Sequence, residues 1–410
     1  MDEAAENTKR VNELSPELLA LHSLNFAVAN NAPARGTMFA SHFAQRPVIN
    51  GSEPALIQTG IAEEFGKYTF STKMPEDGTI LRIIPRYQIG VTDGDIPFNP
   101  ETIVVYRSHE TGIVDFFKLS YHHSNHSIFG FEYEKKEAAK YISYMAEFKK
   151  DTIFADSPAV KGESHYTFGR NLNIIYMSHP NVGLDGYVIN RDALKHLKFK
   201  IYETRSINIG AGSIPLNLYG DDDNYKPFPE IGEYVRDDGL LMVKRPFNQI
   251  LAPAMFSTKD LQTVDYVFDK KIYSRPGKGR VVGLTVVRSD NVNRQLPSQM
   301  TKQLEKYAAA NDRFHGEIVA LEAQLIAESR RQGRNGEIDI SPALQRLIVT
   351  ARGIAHRNQG KTPLILTYKR EPLDTWKLTF TIEYEITPDR GFKLTCDSGG
   401  MQFFKNTGMI

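Results

Sequence analysis

The residues best suited to chemistry fall into a few short clusters. His122, His123 and His126 supply three imidazoles, and His122 and His126 have the i, i+4 spacing that serves a transition metal on a helix. Residues 116–121 beside them read as strand, and no Cys lies nearby, so the trio is expected to be a polar loop. Asp221, Asp222 and Asp223 offer the oxygen ligands that hard cations prefer. A run of like charge in a loop is, however, normally solvated. Gly277, Gly279 and Gly283 imitate a phosphate-cradling loop, but their spacing fits neither the dinucleotide fingerprint nor the P-loop. A turn between strands is expected there. No Gly-x-Ser-x-Gly elbow or cysteine-nucleophile context is present, so hydrolase templates gain no support.

Composition bounds what can position these groups. Apolar residues at 41% and charged residues at 24% match folded globular chains and exclude disordered, collagen-like and disulfide-scaffold classes. At 410 residues the chain has room for two or three domains. The lone Cys396 cannot form an internal disulfide, which fits a reducing compartment. With 50 Lys plus Arg against 49 Asp plus Glu, any contact with nucleic acid must be a local patch. No uncharged apolar run approaches ~18 residues, so neither a membrane span nor a signal peptide is expected.

Residues 17–48 suggest helix, loop and helix, with Asn30, Asn31, Pro33 and Gly36 as breakers. From 58 to about 133 the pattern is of short strands such as 80–84. Residues 134–150 read as an amphipathic helix, with Ala139, Ile142 and Met145 on one side. Apolar runs at 171–177 and 186–189 suit buried strands. Leu304, Tyr307, Phe314, Ile318, Leu321 and Leu325 recur at helical spacing over 298–331. A second helix at 342–356 would complete a helical hairpin. Strands are expected at 364–368 and, from the alternation of Phe380, Ile382, Tyr384 and Ile386, at 376–386.

Four segments, in order, resemble the β subunit of multisubunit DNA-dependent RNA polymerases, most closely the split β subunits of giant bacteriophages. Asn30-Asn31-Ala32-Pro33-Ala34-Arg35-Gly36-Thr37-Met38 is similar to the family's Asp-Asp-Ala-Asn-Arg-Ala-Leu-Met stretch, and Gln58-Thr59-Gly60-Ile61-Ala62-Glu63 to its Val-Gly-Thr-Gly-x-Glu. Phe117 to Asn125 resembles Tyr-x-Leu-x-Lys-Tyr-x-Arg-Ser-Asn. Asp151-Thr152-Ile153-Phe154-Ala155-Asp156-Ser157-Pro158, Phe168-Gly169-Arg170-Asn171 and Leu184-Asp185-Gly186-Tyr187-Val188-Ile189 resemble Gly-Asp-Val-Leu-Ala-Asp-Gly-Pro, Leu-Gly-Gln-Asn and Phe-Glu-Asp-Ser-Ile-Leu. Pro229-Glu230-Ile231-Gly232-Glu233 with Asp238-Gly239-Leu240 is similar to Pro-Asn-Val-Gly-Glu with Ser-Gly-Ile. Gly391-Phe392-Lys393 then resembles Gly-Asp-Lys, where the family continues as Arg-His-Gly-x-Lys-Gly and this chain reads Asp397-Ser398-Gly399-Gly400-Met401-Gln402.

The resemblance implies a mixed α+β, β-rich fold with a double-psi β-barrel region, flap-like β elements and a helical hairpin insertion. It implies an N-terminal segment at 1–22, an active-site-proximal region at 23–200 and a flap-like region at 201–292. The hairpin follows at 293–360, an incomplete return to the barrel at 361–400, and an unrelated tail at 401–410. As a subunit fragment inactive alone, the chain would need a β′-type partner that holds the catalytic Mg, other polymerase subunits, a DNA template, nascent RNA and nucleoside triphosphates. No membrane is implied. By position Arg35 and Met38 contact the incoming nucleotide, and Lys393 lies beside the RNA 3′ end. Asp185 matches the first acid of a Glu-Asp pair near the second metal, but Gly186 stands where that pair has Asp, which halves the carboxylates. The host-cell cytoplasm during infection, or the virion, is the implied location, and a split gene or intron the implied origin of the tail. The alternative is a non-catalytic scaffold protein derived from such a subunit.

Overall fold

The computed structural model describes residues 23–26, 28–90, 96–126, 128–175, 177–180, 186–210, 212–246, 257–288, 298–331, 338–358, 376–398 and 404–409. Its helices are α1 (Pro33–Ala44), α2 (Ile61–Phe65), α3 (Arg191–Leu194), α4 (Ser298–Arg331) and α5 (Pro342–Asn358). The first strands are β1 (Thr72–Lys73), β2 (Gly78–Pro85), β3 (Glu101–Ser108), β4 (Val114–Ser120), β5 (His122–His126) and β6 (Phe129–Glu132). Next come β7 (Glu134–Lys135), β8 (Glu147–Phe148), β9 (Ile153–Asp156), β10 (Val160–Lys161), β11 (His165–Tyr166), β12 (Phe199–Ile209) and β13 (Ser213–Pro215). The last are β14 (Leu240–Pro246), β15 (Lys270–Tyr273), β16 (Arg280–Arg288), β17 (Trp376–Ile386), β18 (Lys393–Ser398) and β19 (Phe404–Met409). The fold is mixed α+β and β-rich.

The largest sheet has the order β16-β17-β12-β6-β5, and the next β4-β3-β2-β8. Smaller sheets are β1-β9-β7, β13-β14-β15, β10-β11 and β18-β19. β12 and β17 pair antiparallel along their whole lengths, from Phe199↔Ile386 to Ile209↔Trp376. Alternation explains the two faces. Ile201, Ile207 and Ile209 with Tyr384, Leu378 and Trp376 form one apolar, buried face, whereas Tyr202, Thr204 and Ser206 oppose Glu383, Thr381 and Thr379 on the other.

α4 lies across both major sheets. Leu304, Tyr307 and Ala308 join the core of the five-stranded sheet, while Phe314, Ile318, Leu321 and Leu325 join a second core with Leu81, Ile103, Val105 and, from α5, Leu344 and Ile348. Its 34 residues span about 50 Å. Where the cores meet, Arg86 donates to Asn311 Oδ1 at 2.7 Å and lies 4.6 Å from the Phe314 ring centre.

The helix of 298–331, the second helix and the strand of 376–386 stand as expected. Residues 134–150 are not one helix. They form a 3-10 turn at Glu137–Tyr141 and then β8, which pairs with β2. Ala138, Ala139, Ile142, Ala146 and Phe148 all drop onto the Met74–Ile80–Phe154 core, and Met145 turns the chain at φ 63°. Residues 171–175 and 177–180 and 187–190 are not buried strands either, since they run without strand assignment and expose Ile175 and Met177 at 82% and 70%. The histidine trio lies on strand β5 rather than in a loop. The expected strand at 364–368 and the break at 332–337 lie outside the described residues. The tail is not isolated: β19 pairs with β18 from Lys393↔Met409 to Ser398↔Phe404.

Candidate functional site

α1 starts without a capping side chain. Ala32 holds the N-cap position, Pro33 is the first helical residue, and the first turn contains no acid. The N-cap side chain therefore offers no oxygen to the terminal N–H groups at the positive end of the dipole. Arg35 adds a full cation there and is exposed. Met38, three residues on and so on the same side, is 50% exposed. A guanidinium fork beside a polarisable thioether suits a phosphate with an apolar group attached.

The inner face of α1 anchors this end. Gly36, Phe39, Ala40 and Phe43 are buried. The Phe39 and Phe43 rings stack at 5.2 Å, and Phe43 meets Phe168 edge-on at 4.9 Å. Just beyond Phe168, Glu53 N–H donates to the Gly169 carbonyl at 2.9 Å, and Arg170 reaches both the Gly51 carbonyl at 2.5 Å and the Glu53 carboxylate at 3.5 Å. Asn171 donates through its backbone to Glu53 Oε1 and through its amide to the Pro54 carbonyl, and accepts from Leu56 N–H. Residues 51–56, just ahead of the Gln58–Glu63 segment, are thus tied to the Phe168–Asn171 segment more than a hundred residues on in the chain.

Lys393 opens β18, two residues after Gly391, whose φ of 91° makes the turn. Its neighbour Phe392 lies 6.1 Å from Phe199, ring to ring. Phe199 also bridges to Ile49, and Asn50 N–H donates to the Lys198 carbonyl at 2.8 Å. The backbone leading to Lys393 and the chain leading out of α1 therefore converge on the start of β12. The Lys393 side chain, and Asp185 altogether, lie outside the described residues.

The generic motifs resolve into structure. His122 stacks on Tyr202 at 4.3 Å and His123 on Phe70 at 4.2 Å. Adjacent strand residues face opposite ways, so these two cannot share an ion. Burial, with repulsion from His123, pushes the His122 pKa down to about 4. Asp221 Oδ1 accepts from the Asp223 and Asn224 N–H groups, which makes it a turn-forming carboxylate. Gly277 turns at φ 111°, and a side chain on Gly279 would strike the Tyr384 ring. Among the described residues, no three His, Cys, Asp or Glu side chains are placed to hold a metal.

Sequence reasoning missed a buried charge network on the five-stranded sheet. Lys200 bonds to Glu132 and, at 3.1 Å, to Glu383, which also accepts from the Tyr202 hydroxyl at 2.9 Å. Burial alone would lower the Lys200 pKa, but bonds and charges from both glutamates leave it raised. Burial, then the Glu383 charge, pushes the Tyr202 hydroxyl far up, so it acts as a donor only. The available signal was Lys200 and Tyr202 at alternate positions of one strand, a charge and a hydroxyl on a side that pairing would bury. Asp156 is also nearly fully buried, and burial raises its pKa against the pull of the Ser157 N–H and nearby lysines. Compared with protein-family models and with curated proteins, the chain matches none.

Proposed function

We propose that the chain is a β-type subunit of a multisubunit DNA-dependent RNA polymerase, working with a β′-type partner in transcription of phage genes. The observation that carries this reading is a backbone requirement. The quoted family motifs have glycine at the positions of Asp151, Gly232, Gly239 and Gly391, and in this chain these four have φ of 62°, 95°, 78° and 91°. Only glycine enters that region without strain, and aspartate is among the few residues that tolerate it. A resemblance in letters is thus matched by the conformation that makes the letters necessary. At the positions of Thr59, Ile61, Ser157 and Gly169, where the quoted motifs also have glycine, φ lies outside that region and carries no such demand.

A second support is incompleteness. Leu56, Ile175, Met177 and Val188 are 86%, 82%, 70% and 68% exposed, in or within a few residues of segments that resemble the polymerase β subunit. Exposed apolar segments of this kind mark a surface that another chain covers. The finer fold, a double-psi barrel completed by that partner, belongs to the same reading.

In it, Arg35 binds nucleotide phosphate through its fork and Met38 supports the rest of the nucleotide, while the fixed charge of Lys393 stabilises negative charge at the RNA 3′ end. Mg on the partner's carboxylates would activate the 3′-oxygen and neutralise pyrophosphate. This chain supplies the cations around the phosphates, with Asp185 as an outer carboxylate. Co-expression with β′-type and other polymerase subunits tests the proposal. Assembly into an RNA-synthesising complex, with synthesis abolished by Lys393→Ala and assembly intact, is expected. Failure to assemble with all other subunits present sinks it, and assembly with synthesis indifferent to Lys393→Ala and Arg35→Ala favours the scaffold alternative.

A further inference from the structure

We infer that Arg46 is the positioning residue that sets the angle of α1, and with it the place of Arg35; this rests on the nucleotide reading above. Arg46 follows the C-cap residue Gln45. Its guanidinium lies 4.1 Å from the Phe43 ring centre and 5.4 Å from those of Tyr166 and Phe168. It also donates through Nη1 to the Phe168 carbonyl and through Nη2 to the Tyr166 hydroxyl. One planar cation thus grips the helix end and two alternate residues of the segment that continues to Gly169, Arg170 and Asn171.

The ring contacts of Phe39 and Phe43 fix how close α1 lies, but ring packing is weakly directional. The two donated hydrogen bonds of Arg46 are directional and fix how it tilts. Only a guanidinium combines flat faces for rings with a rigid fork of donors; lysine keeps the charge and loses both. Arg35 sits about 14 Å up the helix from this pivot, so a tilt of about 5° moves it by about 1 Å. Displacements of that size are enough to cost reaction geometry up to about 100-fold.

The test uses the assembled polymerase complex carrying Arg46→Lys, with Arg35→Ala as reference. Nucleotide KM, saturating rate and amide exchange of residues 33–44 are measured. Arg46→Lys is expected to raise KM about tenfold, to leave the saturating rate within about twofold, and to speed exchange in α1. Tyr166→Phe, which removes only the Nη2 acceptor, gives a smaller KM rise in the same direction and serves if Arg46→Lys does not fold. A normal KM in both variants while Arg35→Ala raises it overturns the inference, as does a lowered Tm with KM and exchange unchanged. If Arg35→Ala itself leaves KM unchanged, the nucleotide reading fails separately, and unchanged exchange in α1 then overturns the role of Arg46 as well.

Discussion

The five-stranded sheet and the region around α1 solve opposite problems. In the sheet, Phe380, Leu378, Ile382 and Trp376 are fully buried beneath α4, and even Glu383 is only 8% exposed because Lys200 and Tyr202 satisfy it. Around α1 the inner aromatic face is equally tight, yet the adjoining segments at 54–57 and 171–177 turn large aliphatic side chains outwards. The first region finishes its own core. The second fixes its polar joints, through Glu53, Arg170 and Asn171, and leaves its apolar surface exposed. Local order and an exposed apolar surface are compatible, because hydrogen bonds can order the backbone without burial of the outer side chains.

The contrast breaks most readily through truncation. Phe380→Ala should destabilise the isolated chain by about 3–5 kcal/mol, whereas Ile175→Ala should stay within about 0.5 kcal/mol, both by chemical denaturation. A large loss from Ile175→Ala would show that its segment is already part of a core. Glu383→Ala, which leaves Lys200 and Tyr202 short of a partner, should cost on the order of 3 kcal/mol. An effect near zero would mean the network is solvated.

pH sharpens the comparison next. His122 and His315 are held below the ordinary histidine range, chiefly by burial. A buried neutral imidazole contributes nothing unfavourable above pH ~6.5, where the unfolded chain is neutral too. As pH falls from there towards about 4, the unfolded state takes up protons that His122 refuses. Stability should therefore drop by roughly 1 kcal/mol per pH unit across that window, and His122→Phe should flatten the slope. The smallest expected effect concerns backbone: Asp151→Gly should stabilise by about 0.5 kcal/mol by relieving the left-handed residue. A destabilisation would mean that the Asp151 side chain does more than fill a turn.

Much of the sheet-and-helix frame was legible in the chain. α4 repeats its apolar residues over many turns and β17 alternates without interruption, so period alone fixes both. Residues 134–150 mimic a helix because Ala139, Ile142 and Met145 satisfy helical spacing, although Tyr141, Ile142, Tyr144 and Phe148 favour extended backbone. The runs at 171–177 and 186–189 suggest buried strands because apolarity says that a side chain avoids water, not whose core it enters. In the candidate site, Arg35 and Met38 fall on one exposed helix side. Arg46 was invisible because its partners, Tyr166 and Phe168, lie about 120 residues away and only folding brings them near.

The β12–β17 pairing has a further consequence, for synthesis. β12 ends at Ile209 and its partner begins at Trp376, so 376 − 209 = 167 residues must follow before the sheet can close. At typical elongation rates this takes on the order of ten to thirty seconds. Throughout that interval Ile201, Ile207 and Ile209 lie on a strand with an open edge, and a long-range closure of this kind is intrinsically slow. The nascent chain is thus most prone to aggregate while still attached to the ribosome.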